Sequence, residues 1–479
     1  MEQRIAINFG TSGWRAIIAD EFTFANVRLV SRAIAAYVKS VPGRGPRQVI
    51  VGYDTRFLSA EFARACAQTL TAERIAVLLC ERDVPTPALA YQTIKRGLSG
   101  AVNFTASHNP PSYNGIKFSP ASGGPAPKAV TSAIEESIRR LQIRPRQDSV
   151  RPIAALLEIF DPRPKYLARL RQLVDLSLIR KGRLRIGVDC MYGTSRGYLD
   201  TLLSGNCRAL SVFHDFLNPL FGGRPPEPDL PYIPELIQLV KRENFDLGLA
   251  CDGDADRFGI VDRGGHFLTP NEIVTLLFYY LLKTRGFAPK VARTFATTHM
   301  IDAIARREGV EVIETPVGFK YIGEALAQGD CLIGGEESGG LSIRGHVPEK
   351  DGILACLLIA EMVAREKKTV RAILQSLFRT YGYFYNHRIN LHLTPQRKER
   401  LLKQLQGMQA KAELAGLAVQ RIDFTDGFKF ILADGSWVML RPSGTEPVVR
   451  CYFESHTREK LRSLVARTRK LFQLTDISG

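Results

Sequence analysis

Short runs of β-branched residues alternate with longer segments of helical periodicity along most of this 479-residue chain, and that alternation constrains the fold more than any other feature. Val49-Ile50-Val51-Gly52 leads through Asp54-Thr55-Arg56 into a helix-like Ala60 to Leu70. Leu184 to Val188 leads through Asp189 to Thr194 into a helical segment, and Lys290 to Phe295 leads through Ala296-Thr297-Thr298 into Met300 to Arg307. Each is a strand, a loop and a helix, the unit of layered α/β architecture. Their repetition at wide spacing predicts three related α/β domains with mixed sheets. The tail reads differently. Phe428 to Leu432, a turn carrying Asp434-Gly435, and Trp437 to Leu440 predict a hairpin, and a helix is expected from about Arg458 to Phe472, so a smaller α+β unit closes the chain.

At about 150 residues per domain the length allows three or four domains. Breaks are expected where Pro and Arg accumulate between Arg144 and Pro152, at the hairpin-like turn Asp262-Arg263-Gly264-Gly265, and around Arg379 to Tyr385 after a helix from Val370 to Phe378. The expected division is α/β domains over 1–152, 153–263 and 264–378 and an α+β domain over 379–479.

Hydrophobic residues at 45% and charged residues at 24% exclude wholesale disorder. Lys and Arg outnumber Asp and Glu by 65 to 48, a formal +17, which admits a solvated surface, a polyanion-binding face or an anionic small substrate. The basic residues are spread along the whole chain in short clusters such as Arg306-Arg307 and Arg397-Lys398, without a recognised nucleic-acid motif, so no nucleic-acid partner is expected. The eight cysteines form no Cys-x-x-Cys pair and no cluster of metal-ligand spacing; several lie in apolar runs as small buried hydrophobes. The N-terminus carries no signal core, and the longest apolar stretches, such as Ile273 to Leu282, fall short of the ~18 residues of a membrane span. A cytoplasmic protein with no membrane partner is the expectation.

Four loops could carry chemistry. Thr105-Ala106-Ser107-His108-Asn109-Pro110-Pro111, followed by Asn114-Gly115-Ile116-Lys117, is a stiff loop presenting a hydroxyl, and it lacks the Gly-x-Ser-x-Gly of a hydrolase elbow. Asp252-Gly253-Asp254-Ala255-Asp256-Arg257 puts three carboxylates at alternate positions, where they repel one another unless a cation neutralises them. An EF-hand is excluded, since Arg257 and Arg263 stand at its sixth and twelfth positions; three carboxylates with open coordination suit Mg²⁺. Gly334-Gly335-Glu336-Glu337-Ser338-Gly339-Gly340 lets a ligand approach the backbone and offers Glu336 and Ser338 to sugar hydroxyls, with titratable His346 and Lys350 close behind. Arg441-Pro442-Ser443-Gly444-Thr445-Glu446 combines a forked guanidinium, hydroxyls and backbone N–H groups suited to a phosphate.

In this order, and with Phe9-Gly10-Thr11-Ser12-Gly13-Trp14-Arg15 ahead of them, these loops resemble the α-D-phosphohexomutase family, the phosphoglucomutases and phosphomannomutases, over nearly the whole chain. The resemblance implies four domains that each contribute one loop to a central cleft. It implies that Ser107 is a phosphoserine that gives and retakes a phosphoryl group, with Ser107, Asp252, Asp254 and Asp256 holding one Mg²⁺. Arg15, His108, Lys117 and Lys350 would be catalytic, and Gly318, Lys320, Glu336, Ser338, His346, Arg441, Ser443, Gly444 and Thr445 would bind substrate. The implied reaction interconverts glucose 1-phosphate and glucose 6-phosphate through glucose 1,6-bisphosphate, in a monomer or homodimer. The sugar loop favours glucose, since family members acting on both glucose and mannose phosphates usually carry Gly-His where this chain has Gly339-Gly340. A phosphomannomutase, a dual-specificity enzyme and, less favoured, a phosphoglucosamine mutase are the alternatives.

Overall fold

The computed structural model describes residues 7–10, 13–42, 47–143, 151–286, 289–408, 413–414, 416–442 and 448–474. The chain forms two compact units, residues 1–288 with 318–371, and residues 289–317 with 372–479.

In the larger unit the strand Gln48–Tyr53 is almost wholly apolar and buried, as a parallel strand covered on both faces must be. It pairs in parallel with Ala76–Cys80 and Gly100–Phe104, the latter antiparallel to Tyr113–Pro120, which in turn pairs with Trp14–Ile17. Helices Phe24–Ser40 and Ser59–Ala72 cover this mixed sheet, and the first starts where Thr23 accepts a hydrogen bond from the Asn26 N–H. The sixth strand of the sheet, Leu157–Phe160, lies beyond residue 152 and pairs in parallel with Ala76–Cys80. The first sheet therefore extends past the expected break. An edge strand needs little burial, and this one has almost none; the expected division places its residues in the second domain.

The second sheet runs His266–Leu268, Phe258–Asp262, Leu247–Cys251, Arg185–Asp189, Ala209–Phe213, antiparallel at its first two pairings and parallel at the others. The turn 263–265 is internal to its terminal hairpin. The helical segment expected after Asp189 to Thr194 is only the five-residue Leu199–Leu203. Helix Pro270–Thr284 begins with a reciprocal cap between Thr269 and Glu272. Helix Gly352–Glu366 is buried over most of its circumference, Asp351 capping it at the Leu354 N–H. The pair Cys331–Gly335 and Leu341–Ile343 frames the Gly-Glu-Glu-Ser turn. Cys251 and Cys356 face each other inside this unit with 4.0 Å between sulfurs, and all eight cysteines are free.

In the smaller unit Lys290–Thr294 pairs in parallel with Glu311–Thr315. The C-terminal sheet has the order Tyr385–His392, Val448–Ser455, Trp437–Pro442, Phe428–Leu432, Leu417–Asp423, Glu413–Leu414 and is antiparallel throughout. Its hairpin turns at Asp434-Gly435 as the sequence predicts, and helix Arg458–Leu471 contributes Leu464 to its core. Three mixed α/β segments and an antiparallel α+β tail are thus present.

Candidate active site

Two left-handed turns meet in the larger unit. Ser107 follows strand Gly100–Phe104 at φ 52°, and Ala255 follows strand Leu247–Cys251 at φ 56°. Gly253 makes the approach possible, because a Cβ there would stand 2.6 Å from the Ser107 carbonyl oxygen. The Ser107 hydroxyl, 1% exposed, donates to Asp252 Oδ2 at 2.8 Å, and His108 Nδ1 lies 3.3 Å from the same Oγ. The Ser107 N–H is held by Thr105 Oγ1 at 2.8 Å.

Asp252, Asp254 and Asp256 are buried, and each brings a carboxylate oxygen within 4.8 Å of the others. Lys117 Nζ reaches Asp254 Oδ2 at 2.6 Å and Asp256 Oδ2 at 3.2 Å, while Lys350 Nζ reaches Asp256 Oδ2 at 3.0 Å and Glu349 Oε1 at 3.5 Å. Thr86 donates its hydroxyl to Asp254 Oδ2 at 2.6 Å. Asp252 Oδ1 instead takes the backbone N–H groups of Asp256 and Arg257.

Burial, then repulsion from Asp256 and Asp254, pushes the Asp252 carboxyl well above the usual carboxylate range. Burial and Asp256 act the same way on Asp254, but the Lys117 ammonium and Thr86 outweigh them and hold it low. Asp256 is held low as well, because Lys117, Lys350 and Arg257 together overcome its burial. Burial opposes the charge on Lys350, and Asp256, Glu349 and Glu336 more than offset it, so its ammonium is held firmly.

A divalent cation fits this donor set. Asp254 Oδ1 and Asp256 Oδ1 are buried with no hydrogen-bond partner among the described residues, an acceptor demand that a cation among the three carboxylates would meet.

Arg15, half-buried and with desolvation pulling its pKa down, feels the field of Asp254 and Asp256 and donates to Asn109 Oδ1 at 2.6 Å. Ser338 donates to Glu336 Oε1 at 2.6 Å, and burial raises the Glu336 carboxyl. Lys350 packs its methylenes over Gly340, so the sugar-loop glycines and the lysine share one corner. Gly318, at φ 132°, precedes helix Phe319–Ala327, and Lys320 lies with its ammonium 4.6 Å from the Tyr321 ring centroid. Arg441, in the smaller unit, donates to Asp426 Oδ1 at 2.9 Å. Ser443, Gly444 and Thr445, like Thr11 and Ser12, lie outside the described residues.

His346 departs from its expected role as a substrate contact. Its side chain is fully buried, Nε2 lies 2.7 Å from Asp351 Oδ2 and the ring stacks on Tyr166, so it braces the start of helix Gly352–Glu366 and offers no surface to a sugar. Thr86 and Glu349 are the residues that the sequence reading missed. Thr86 sits in Pro85-Thr86-Pro87 with nothing local to mark it, whereas Glu349 adjoins Lys350 and could have been suspected from that charge pair.

Four phosphoglucomutase/phosphomannomutase family models match the chain in succession: α/β/α domain I over residues 6–144, domain II over 164–265, domain III over 269–381 and the C-terminal domain over 389–471. A phosphoglucomutase/phosphomannomutase of Thermococcus kodakarensis is 32% identical over 97% of this chain and 98% of its own length. A phosphoglucomutase of Komagataeibacter xylinus is 30% identical over 95% and 88%. The crystal structure of a candidate phosphomannomutase from Thermus thermophilus superposes with a TM-score of 0.86 at 33% identity, covering 98% of this chain and all of that one.

Proposed function

Because the chain belongs to the α-D-phosphohexomutase family and is a mutase of the isomerase class, we propose that it interconverts glucose 1-phosphate and glucose 6-phosphate through a phosphoserine at Ser107 and a 1,6-bisphosphate intermediate. The contact between the Ser107 hydroxyl and Asp252, at the edge of a three-carboxylate cluster flanked by two lysines, carries this reading.

Asp252, Asp254, Asp256 and the Ser107 oxygen would hold Mg²⁺, which when bound neutralises phosphoryl oxygens. The chain's own residues do the rest. A hydroxyl of the bound sugar monophosphate attacks phosphorus. The bond from phosphorus to Ser107 Oγ breaks as the bond to the sugar oxygen forms, and the hydroxyl proton passes to a base, for which Lys117 and Lys350 are the candidates once the charge of Asp254 and Asp256, which holds both ammonium groups protonated, is neutralised. The bisphosphate then turns round and returns its other phosphoryl group to Ser107, restoring the proton. Arg15 and Lys117 orient the transferring group. Glu336 and Ser338 hold sugar hydroxyls, and Arg441 with Ser443, Gly444 and Thr445 grips the phosphate that is not being transferred. One cradle must accept either end of the sugar.

A coupled assay of glucose 6-phosphate formation from glucose 1-phosphate, with Mg²⁺ and a trace of glucose 1,6-bisphosphate, tests the reading. Turnover that Ser107→Ala reduces by at least about 10³-fold is expected; wild-type protein without such turnover sinks it. The dual name of the Thermococcus relative favours mannose 1-phosphate as a second substrate, and the same assay run on glucose, mannose and glucosamine phosphates ranks the three.

A further inference from the structure

The loop that presents Ser107 is wound round a single guanidinium. Arg56, in the turn after strand Gln48–Tyr53, is 3% exposed. Its Nη1 donates to the carbonyls of Pro110 at 2.8 Å and Tyr113 at 3.0 Å, its Nη2 to those of Ser107 at 2.7 Å and Asn109 at 2.6 Å, and its Nε to Asp54 Oδ2 at 3.1 Å. A guanidinium has five N–H donors, and each of these bonds engages one of them. None is left for a phosphate. Asp54 is itself anchored, its Oδ1 accepting the Arg56 N–H at 2.9 Å and the Ser59 hydroxyl at 2.8 Å, and the Phe221 ring covers the guanidinium at 5.0 Å.

Four carbonyls turned toward one point repel unless a cation lies between them, and the left-handed backbone of Ser107 is strained for a residue that carries a Cβ. Arg56 answers both costs.

We propose that Arg56 is a positioning residue for phosphoryl transfer, holding Ser107 Oγ toward Asp252 both with and without its phosphoryl group. The inference rests on the proposed role of Ser107. Each half-reaction changes the charge on that side chain by about two units. A loop fixed only by contacts to the phosphate would relax every time the phosphate leaves. A loop clamped from behind need not reorganise. Lysine cannot replace the clamp, because it keeps the charge but lacks the fork that reaches four carbonyls.

The test uses full-length wild type, Arg56→Lys, Arg56→Ala and Asp54→Asn. For Arg56→Lys, kcat is expected to fall by about 10–100-fold with KM for glucose 1-phosphate within about threefold of wild type, and hydrogen exchange of the peptide spanning residues 105–117 is expected to accelerate while the rest of the first sheet keeps its protection. Asp54→Asn should shift both readouts the same way by less. Methylguanidine should restore part of the kcat of Arg56→Ala. Wild-type kcat in Arg56→Lys, unchanged exchange in residues 105–117, or loss of protection across the whole sheet in both Arg56→Lys and Asp54→Asn overturns the proposal. If wild type itself lacks Ser107-dependent turnover, the mutase reading falls, and the exchange data still decide whether Arg56 clamps the loop.

Discussion

Gly340 shows how much chemistry can hang on one missing methyl group. A Cβ at this position would lie 2.2 Å from Lys350 Cδ and 3.1 Å from Glu336 Oε1, so a side chain there and the observed lysine exclude each other. That is a physical reason for Gly-Gly after Ser338. Gly340→Ala should push Lys350 off Asp256, and because a lysine stem can swing aside, the cost should fall on turnover. We expect kcat to drop by about 10–100-fold with little change in melting temperature; unchanged kcat would separate Lys350 from the reaction. The gathering of Ser107, Lys117, Lys350 and the Asp triad was legible in the sequence, the triad from the mutual repulsion of alternate carboxylates and the others from the resemblance of their loops to those of the family. Thr86 and the clamp role of Arg56 were not, because their meaning comes from partners up to 168 residues away. His346 misled for the converse reason: a histidine beside a lysine in a Gly/Pro-rich stretch looks available, and only packing shows it spent on Asp351.

Among the elements, strand Phe428–Leu432 carries an oddity in an otherwise apolar run. Lys429, its side chain 1% exposed, donates to the Phe295 carbonyl at 2.7 Å and lies 3.0 Å from His299 Nε2 and 3.5 Å from Glu314 Oε1, between the rings of Phe295 and Trp437. Burial and then the nearby Arg293 lower its pKa to about 8, with Glu314 and Glu454 opposing, and burial leaves His299 neutral. The folded state therefore binds Lys429's proton more weakly than the unfolded chain, whose lysines titrate near 10.4. The penalty is fully present below about pH 8 and fades as pH rises through the unfolded value. Urea unfolding from pH 8 to 10.5 should show wild type gaining about 1–3 kcal/mol relative to Lys429→Met; parallel pH curves for the two proteins would refute this. Strands and capped helices were readable from periodicity because burial imposes it. Leu157–Phe160 was not, since an exposed edge strand leaves no such trace.

At the scale of the whole molecule the +17 surplus acquires a distribution. Arg15, Lys117 and Lys350 are gathered at the Asp triad, whereas Lys320 stands over Tyr321 and Arg441 is paired with Asp426. Carboxylates packed without a full set of partners destabilise the fold until a cation joins them. Millimolar Mg²⁺ should therefore raise the melting temperature by a few degrees over chelated protein, and Asp254→Asn should abolish most of that increment; equal melting in Mg²⁺ and chelator would argue against a cation there. The buried thiols have a different consequence. Burial drives the Cys66 and Cys451 thiols up to about 12 and Cys80 and Cys190 higher still, while the contact with Cys356, then burial, does so for Cys251. A sulfur that is neither ionised nor accessible reacts only while the structure around it is open. These cysteines therefore act as sealed clocks distributed through both units, and the order in which they take up a label would record the order in which the protein comes apart.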